Sequence, residues 1–195
     1  PKESYARHSL NGINAFVPTL LAQGEEGHVV NTTSGNGGFT PLINSAVYAT
    51  TAIVHERFDA DLVLDALMGD EAPTMVSLVP TTLQRLLDAG LREPPALRWA
   101  LLGGAPATTA LQGRAAAAGV PVASTYGLTE ACSQVTTLGA PLFCTKVRMA
   151  GDGEILVSGP TVAPAAGPVL ATGDLGAWNA DGILHVVGRK SDTIV

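Results

Sequence analysis

Apolar side chains recur at Leu10, Ile13, Phe16, Val17, Leu20 and Leu21, the spacing of one face of a helix. This pattern predicts a helix over 4–23, closed by the glycines of "AQGEEG". "HVVNT" then has strand character, and "TPLINSAVYAT" reads as a helix with Pro41 near its first turn, where a missing N–H costs little. "TAIVHE" is expected to be a strand. Asp59 is placed to cap an amphipathic helix, "ADLVLDALMGD", and "APTMVSLVP" reads as a buried strand. "PTTLQRLLDAGL" repeats the helix and ends near Gly90, "LRWALLGGAP" is a strand and turn, "ATTALQGRAAAAG" a helix, and "VPVASTYG" a strand. Strand and helix in alternation predict an α/β fold, a mostly parallel sheet with helices on both faces.

Beyond residue 138 helical periodicity stops. "TKVRMA", "GEILVSGP" and "VLATGDLGAWNADGILHVVGRK" are short strand patterns broken by Gly, Asp and Pro, which predicts a small β-rich subdomain over 139–195 after an α/β nucleotide-binding subdomain over 1–138. "NADG" is a hairpin turn signal, because Asp-Gly tolerates positive φ. Trp178 is expected in the core of the β-rich part.

The composition narrows the function classes. A hydrophobic content of 46% in 195 residues can fill a substantial core. With only 14% charged residues and a net charge of -6, no basic field exists to recruit nucleic acid or an anionic membrane. The longest apolar runs fall far short of the ~20 residues that span a bilayer. The first ten residues lack the design of a secretory signal, and the chain opens on Pro1, so it reads as an excerpt of a cytoplasmic protein. Cys132 and Cys144 are expected as reduced thiols. His55 and His185 read as packing or surface residues.

In parallel α/β sheets ligands sit beyond the carboxyl ends of the strands, which directs attention to "LLGGAP", "STYGLTEA" and "NTTSGNGG". Glycine there admits a close ligand, and exposed N–H groups favour phosphate or a base edge. Each loop alone is weak evidence. In order, however, "LLGGAP" at 101–106, "STYGLTEA" at 124–131, "ATGDLGAW" at 171–178 and "GRKSDTIV" at 188–195 resemble the AMP-forming acyl-CoA synthetases of the adenylate-forming superfamily. Over 46–195, "YATTAIVHERFDADLVLDAL", "VSLVPTTLQRLL" and "RWALLGGAP" look most like its o-succinylbenzoate–CoA ligases of menaquinone biosynthesis.

The resemblance implies activation of a carboxylate with ATP to an acyl-adenylate and transfer of the acyl group to coenzyme A, with Mg2+ on the phosphates. By position it makes Thr129 a phosphate donor and Glu130 the Mg2+ ligand, these two being the catalytic candidates. It sets Tyr126 near the adenine with Gly127 and Leu128 beside it, borders the adenine with the backbone of Gly103, Gly104 and Ala105, gives Asp174 to the ribose hydroxyls, and brings Arg189 from the far side. Arg189 and Ser191 stand where the family pivots. The family's small C-terminal domain, with its lysine, would follow Val195 and is expected to be missing, so weak nucleotide binding and little turnover are expected. Ser124 and Leu138 to Ala140 are candidates for lining the acyl pocket.

The front of the chain supports a rival reading. Residues 12–51 resemble the middle of a short-chain dehydrogenase, with Ser34 and Tyr48 as its serine and tyrosine. That family's lysine falls on Ala52, and no dinucleotide fingerprint precedes the segment. An NADPH-dependent reductase is thus the enzymatic alternative, and a truncated or recombined chain without activity the other. "TSGNGGFTP" as a phosphate loop is a further option, with Pro41 where a basic residue belongs.

Overall fold

The computed structural model describes residues 53, 55, 57–131 and 133–192. The helices expected over 4–23 and 40–50, the strand "HVVNT" and most of "TAIVHE" lie outside the described residues, as do Ser34, Tyr48, Ala52 and Cys132. The described residues divide after Ala123 into two units, which are taken in turn.

In the first unit, Asp59 caps α1 (Ala60–Met68): its carboxylate accepts from the Asp61 N–H at 3.1 Å and the Leu62 N–H at 3.3 Å. These are donors that a helix start leaves without an internal partner. Strand β1 (Met75–Leu78) leads into α2 (Pro80–Asp88), which opens on proline, the residue that loses nothing there. The Thr82 hydroxyl accepts from the Val79 N–H at 3.0 Å and donates to the Val79 carbonyl at 2.9 Å, so the entry is held although Val79 offers no polar side chain. Gly90, at φ 105°, ends the helix while the Leu91 N–H reaches back to the Leu86 carbonyl at 2.9 Å. Strand β2 (Trp99–Leu102) pairs parallel with β1, Met75 against Trp99 through Leu78 against Leu102. Thr108 caps α3 (Thr109–Ala117), its hydroxyl accepting from the Leu111 N–H at 3.2 Å. Leu67, Leu83, Leu86, Leu91, Ala100 and Leu102 lie in the core between these elements.

Strand β3 (Val122–Leu128) runs into the second unit, where β4 (Ser133–Thr137) and β5 (Ala140–Pro141) fold back antiparallel on it in succession. Strands β6 (Lys146–Met149), β7 (Glu154–Ser158), β8 (Leu170–Trp178) and β9 (Leu184–Arg189) form an antiparallel sheet in chain order. Val135, Ile155, Val157, Leu170 and Leu184 form its core with Ala131.

The α/β class and the β-rich remainder are both present. The strand pairing is mixed, because β4 and β5 occupy a stretch that the sequence reading leaves without strands. The "NADG" turn forms with positive φ on Gly182, and the Asn179 side chain organises it by accepting from the N–H groups of Asp181 and Ile183. Trp178 is not in the core and is 39% exposed. It is the last residue of β8 and closes the ladder with β9 opposite Leu184, beside the turn. No helix among the described residues is long and apolar enough to cross a membrane.

Candidate functional site

The motif residues of the first unit lie on the turn after β2. Parallel pairing puts the end of that strand level with the end of β1, and the Gly103 N–H donates to the Leu78 carbonyl at 3.1 Å. Gly104 has φ 78°, and a Cβ there would stand 3.2 Å from a Val79 methyl, so conformation and space both favour glycine. Gly104, Ala105 and Pro106 are exposed. The turn thus offers open backbone beyond the carboxyl end of a parallel strand.

In the second unit β8 supplies the central group. Glu154 pairs with Leu175 and Leu156 with Ala171, so Thr172, Gly173 and Asp174 bulge opposite Ile155. Bulges of this kind re-aim side chains beside sites. Side chains hold the bulge: the Thr172 hydroxyl donates to the Ile155 carbonyl at 2.9 Å and accepts from the Asp174 N–H at 3.1 Å. Asp174 is 7% exposed. The Tyr126 hydroxyl donates to its Oδ2 at 2.7 Å, and Arg189 Nε lies 3.0 Å from its Oδ1. Register explains the second contact, since Asp174 and Arg189 face each other across β8 and β9. The buried carboxylate is therefore compensated at both oxygens. Burial raises the Tyr126 phenol well above its ordinary value; the Thr172 hydroxyl opposes this and the Asp174 carboxylate adds to it. Tyr126 is thus a neutral donor throughout the physiological range.

A second cluster adjoins the first. Lys190 Nζ contacts Asp152 Oδ2 at 2.6 Å and Glu154 Oε2 at 3.0 Å, while Glu154 Oε1 accepts from the Gly173 N–H at 2.9 Å. The hydrogen bond from Lys190 lowers both carboxyls below their usual range, and the two acids, Asp152 first, raise the lysine.

Of the residues expected from sequence, Tyr126, Asp174 and Arg189 are joined in one hydrogen-bonded chain. Thr129 and Glu130 lie exposed on a 3-10 turn directly after β3, anchored by the Glu130 carbonyl accepting from the Ala163 N–H at 2.7 Å. Gly127 is exposed on β3 and Leu128 half-buried. Among the described residues no group of three or more His, Cys, Asp or Glu is placed to hold a metal ion. Cys144 is free, and His185 is exposed on β9. Sequence reasoning missed Asp152, Glu154, Thr172 and Lys190. "GDGEIL" shows the two acids, but nothing local announces a partner 36 residues on.

The described residues thus present an open glycine turn beyond a parallel strand in one unit and a buried carboxylate bonded at both oxygens in the other. The chain belongs to the AMP-binding enzyme family, whose model matches residues 36–165. It is 31% identical to the 2-succinylbenzoate–CoA ligase of Bacillus licheniformis over 99% of this chain and 47% of that enzyme. Against the Bacillus subtilis enzyme of that name it is 35% identical over 81% of this chain and 39% of the relative. The chain thus spans less than half the length of these curated relatives. Among solved structures, the O-succinylbenzoate coenzyme A synthetase (MenE) of Bacillus subtilis in complex with AMP superposes with TM-score 0.78 at 31% identity, over 95% of this chain and 46% of that one. The same enzyme with ATP and a magnesium ion gives 0.77 at 30% identity, over 98% and 46%. The Bacillus licheniformis match takes in nearly the whole chain, so the segment 12–51 is accommodated by a ligase sequence and the dehydrogenase reading finds no support.

Proposed function

We propose that this chain serves an enzyme that activates a carboxylic acid with ATP and passes the acyl group to coenzyme A, the acid being o-succinylbenzoate or a close analogue. The observation that carries the reading is Asp174, a buried carboxylate bonded by Tyr126 and Arg189 in a chain of the AMP-binding family. A carboxylate has about four acceptor sites. Tyr126 and Arg189 occupy one on each oxygen, which leaves acceptors for the two hydroxyls of a ribose.

The chemical problem is attack of one anion on another. The substrate carboxylate adds to the α-phosphorus of ATP and pyrophosphate leaves; the coenzyme A thiolate then adds to the acyl carbonyl and AMP leaves. Both steps need phosphate charge neutralised and the nucleotide held still. We assign phosphate donation to the Thr129 hydroxyl and the Mg2+ of MgATP to Glu130. A single exposed carboxylate suits an ion that arrives with the substrate phosphates and keeps most of its waters. The backbone of Gly103, Gly104 and Ala105 is assigned to the adenine edge, with Tyr126, Gly127 and Leu128 beside it, and Arg189 steadies the ribose through Asp174. Substrates of this class are consistent with a cytoplasmic setting.

Calorimetry with AMP and MgATP tests the assignment, together with pyrophosphate release in the presence of o-succinylbenzoate. Saturable AMP binding that is lost in Asp174→Asn is expected, with MgATP binding weakened in Glu130→Ala. MgATP binding by Glu130→Ala as tight as in the parent would remove the metal assignment, and no AMP binding by the parent would overturn the reading.

A further inference from the structure

The bulge that carries Asp174 leaves the β7–β8 ladder without regular pairing for three residues, and the β8–β9 ladder is irregular again between Leu175 and Gly176. Asp174 is thus in register with Arg189 on the β9 side but has no ladder partner on the β7 side, and side chains supply what that ladder lacks. Glu154 meets that need with both oxygens. Its Oε1 accepts from the N–H of Gly173, the residue before Asp174, and its Oε2 pairs with Lys190, the residue after Arg189. Gly173 has φ 73°, and a Cβ there would lie 3.7 Å from the Arg189 guanidinium. One carboxylate thus ties the chain neighbours of both groups assigned to the ribose. Asp152 supports it from the other side, holding Lys190 through Oδ2 and accepting from the Glu154 N–H at 3.2 Å through Oδ1.

Resting on the ribose assignment above, we propose that Glu154 and Lys190 are positioning residues that hold Asp174 and Arg189 in the geometry that reads the vicinal hydroxyls of a nucleotide. Neither needs to touch the ligand. Their effect is to keep the Asp174 acceptors aimed outward while Tyr126 and Arg189 fill the others, so both act on recognition of the diol and not on affinity for adenine or phosphate.

The test compares AMP with 2′,3′-dideoxyadenosine monophosphate by calorimetry in the parent chain, Glu154→Gln, Lys190→Met and Lys190→Arg. Glu154→Gln keeps an acceptor for Gly173 but loses the ion pair; Lys190→Met loses the charge and Lys190→Arg retains it. The parent is expected to prefer AMP. Glu154→Gln and Lys190→Met should bind AMP about ten- to hundredfold more weakly, as misplaced ligand-orienting groups do. Their dideoxy affinity should stay within about twofold, and Lys190→Arg should restore AMP binding. Equal weakening for both nucleotides, or none for either, would overturn the inference while leaving the nucleotide site standing. A parent that binds no AMP, or binds both nucleotides alike, would remove the ribose assignment and this inference with it.

Discussion

Tyr126 shows how one side chain ties core to site. Its ring packs against the core that includes Val135 and Ile155, and its hydroxyl donates to Asp174 at 2.7 Å. Removing the hydroxyl leaves a buried carboxylate oxygen short of a donor, which costs about 1–3 kcal/mol when a buried acceptor is orphaned. Tyr126→Phe is therefore expected to lower stability by that amount in urea unfolding at neutral pH, and to weaken AMP binding. The phenol adds a pH signature. Its folded value is raised above the unfolded value near 10, so the folded state holds the proton more tightly. The stability linked to this group is fully present below about pH 10 and is lost as pH rises through the folded value. The parent should thus lose stability in alkali more steeply than Tyr126→Phe. In an absorbance titration one of its three tyrosines should ionise only with unfolding, and that step should be missing from the variant. Parallel alkaline profiles for the two proteins would refute the assignment.

Among the elements, the hairpin of β4 and β5 depends most on a single residue. Thr137 pairs with Ala140, and the two residues between them, Leu138 and Gly139, have φ of 51° and 77°. Positive φ at both central positions matches the two-residue hairpin turns whose twist suits the flanking strands. A Cβ on Gly139 would stand 2.3 Å from the Ile183 Cγ2 and 2.7 Å from the Leu184 carbonyl oxygen. Gly139→Ala should cost at least about 3 kcal/mol through overpacking and strain together, whereas Leu138→Asn should gain about 1 kcal/mol; denaturant midpoints measure both. The same turn shows where sequence reading ends. Asp59 and the Asn179–Gly182 loop announce themselves locally, because caps and turns are short-range chemistry. "TTLGAP" hides its turn: leucine stands where Asn or Asp would signal it, and β5 has only two residues. The family motifs carried Tyr126, Asp174 and Arg189 to one place: strand register sets Arg189 opposite Asp174, and the Tyr126 hydroxyl reaches Asp174 from β3. The Glu154–Lys190 contact spans 36 residues and follows from a bulge that no local pattern encodes. Trp178 falls at the last pair of its ladder, a position that its hydrophobicity does not announce.

At the scale of the whole molecule, two units each have their own core, and each contains one of the two tryptophans, Trp99 in the first and Trp178 in the second. The chain thus carries its own reporters. A ligand that binds only the folded state stabilises it by mass action, about 2.7 kcal/mol at one hundred times Kd. For a domain of roughly 150–250 residues about 1 kcal/mol moves the melting temperature by 2–4 °C, so saturating AMP should raise it by about 5–10 °C. Trp99→Phe leaves Trp178 to report the unit that carries Asp174, and Trp178→Phe leaves Trp99 to report the other. The transition seen through Trp178 should rise with AMP and lose that rise in Asp174→Asn. If the units melt as one cooperative body, the Trp99 signal moves in step; if they melt separately, it moves only as far as the assigned glycine turn at Gly103 to Ala105 shares in binding. An AMP-dependent rise seen through Trp99 alone would relocate the nucleotide to the first unit and withdraw Asp174 from the ribose.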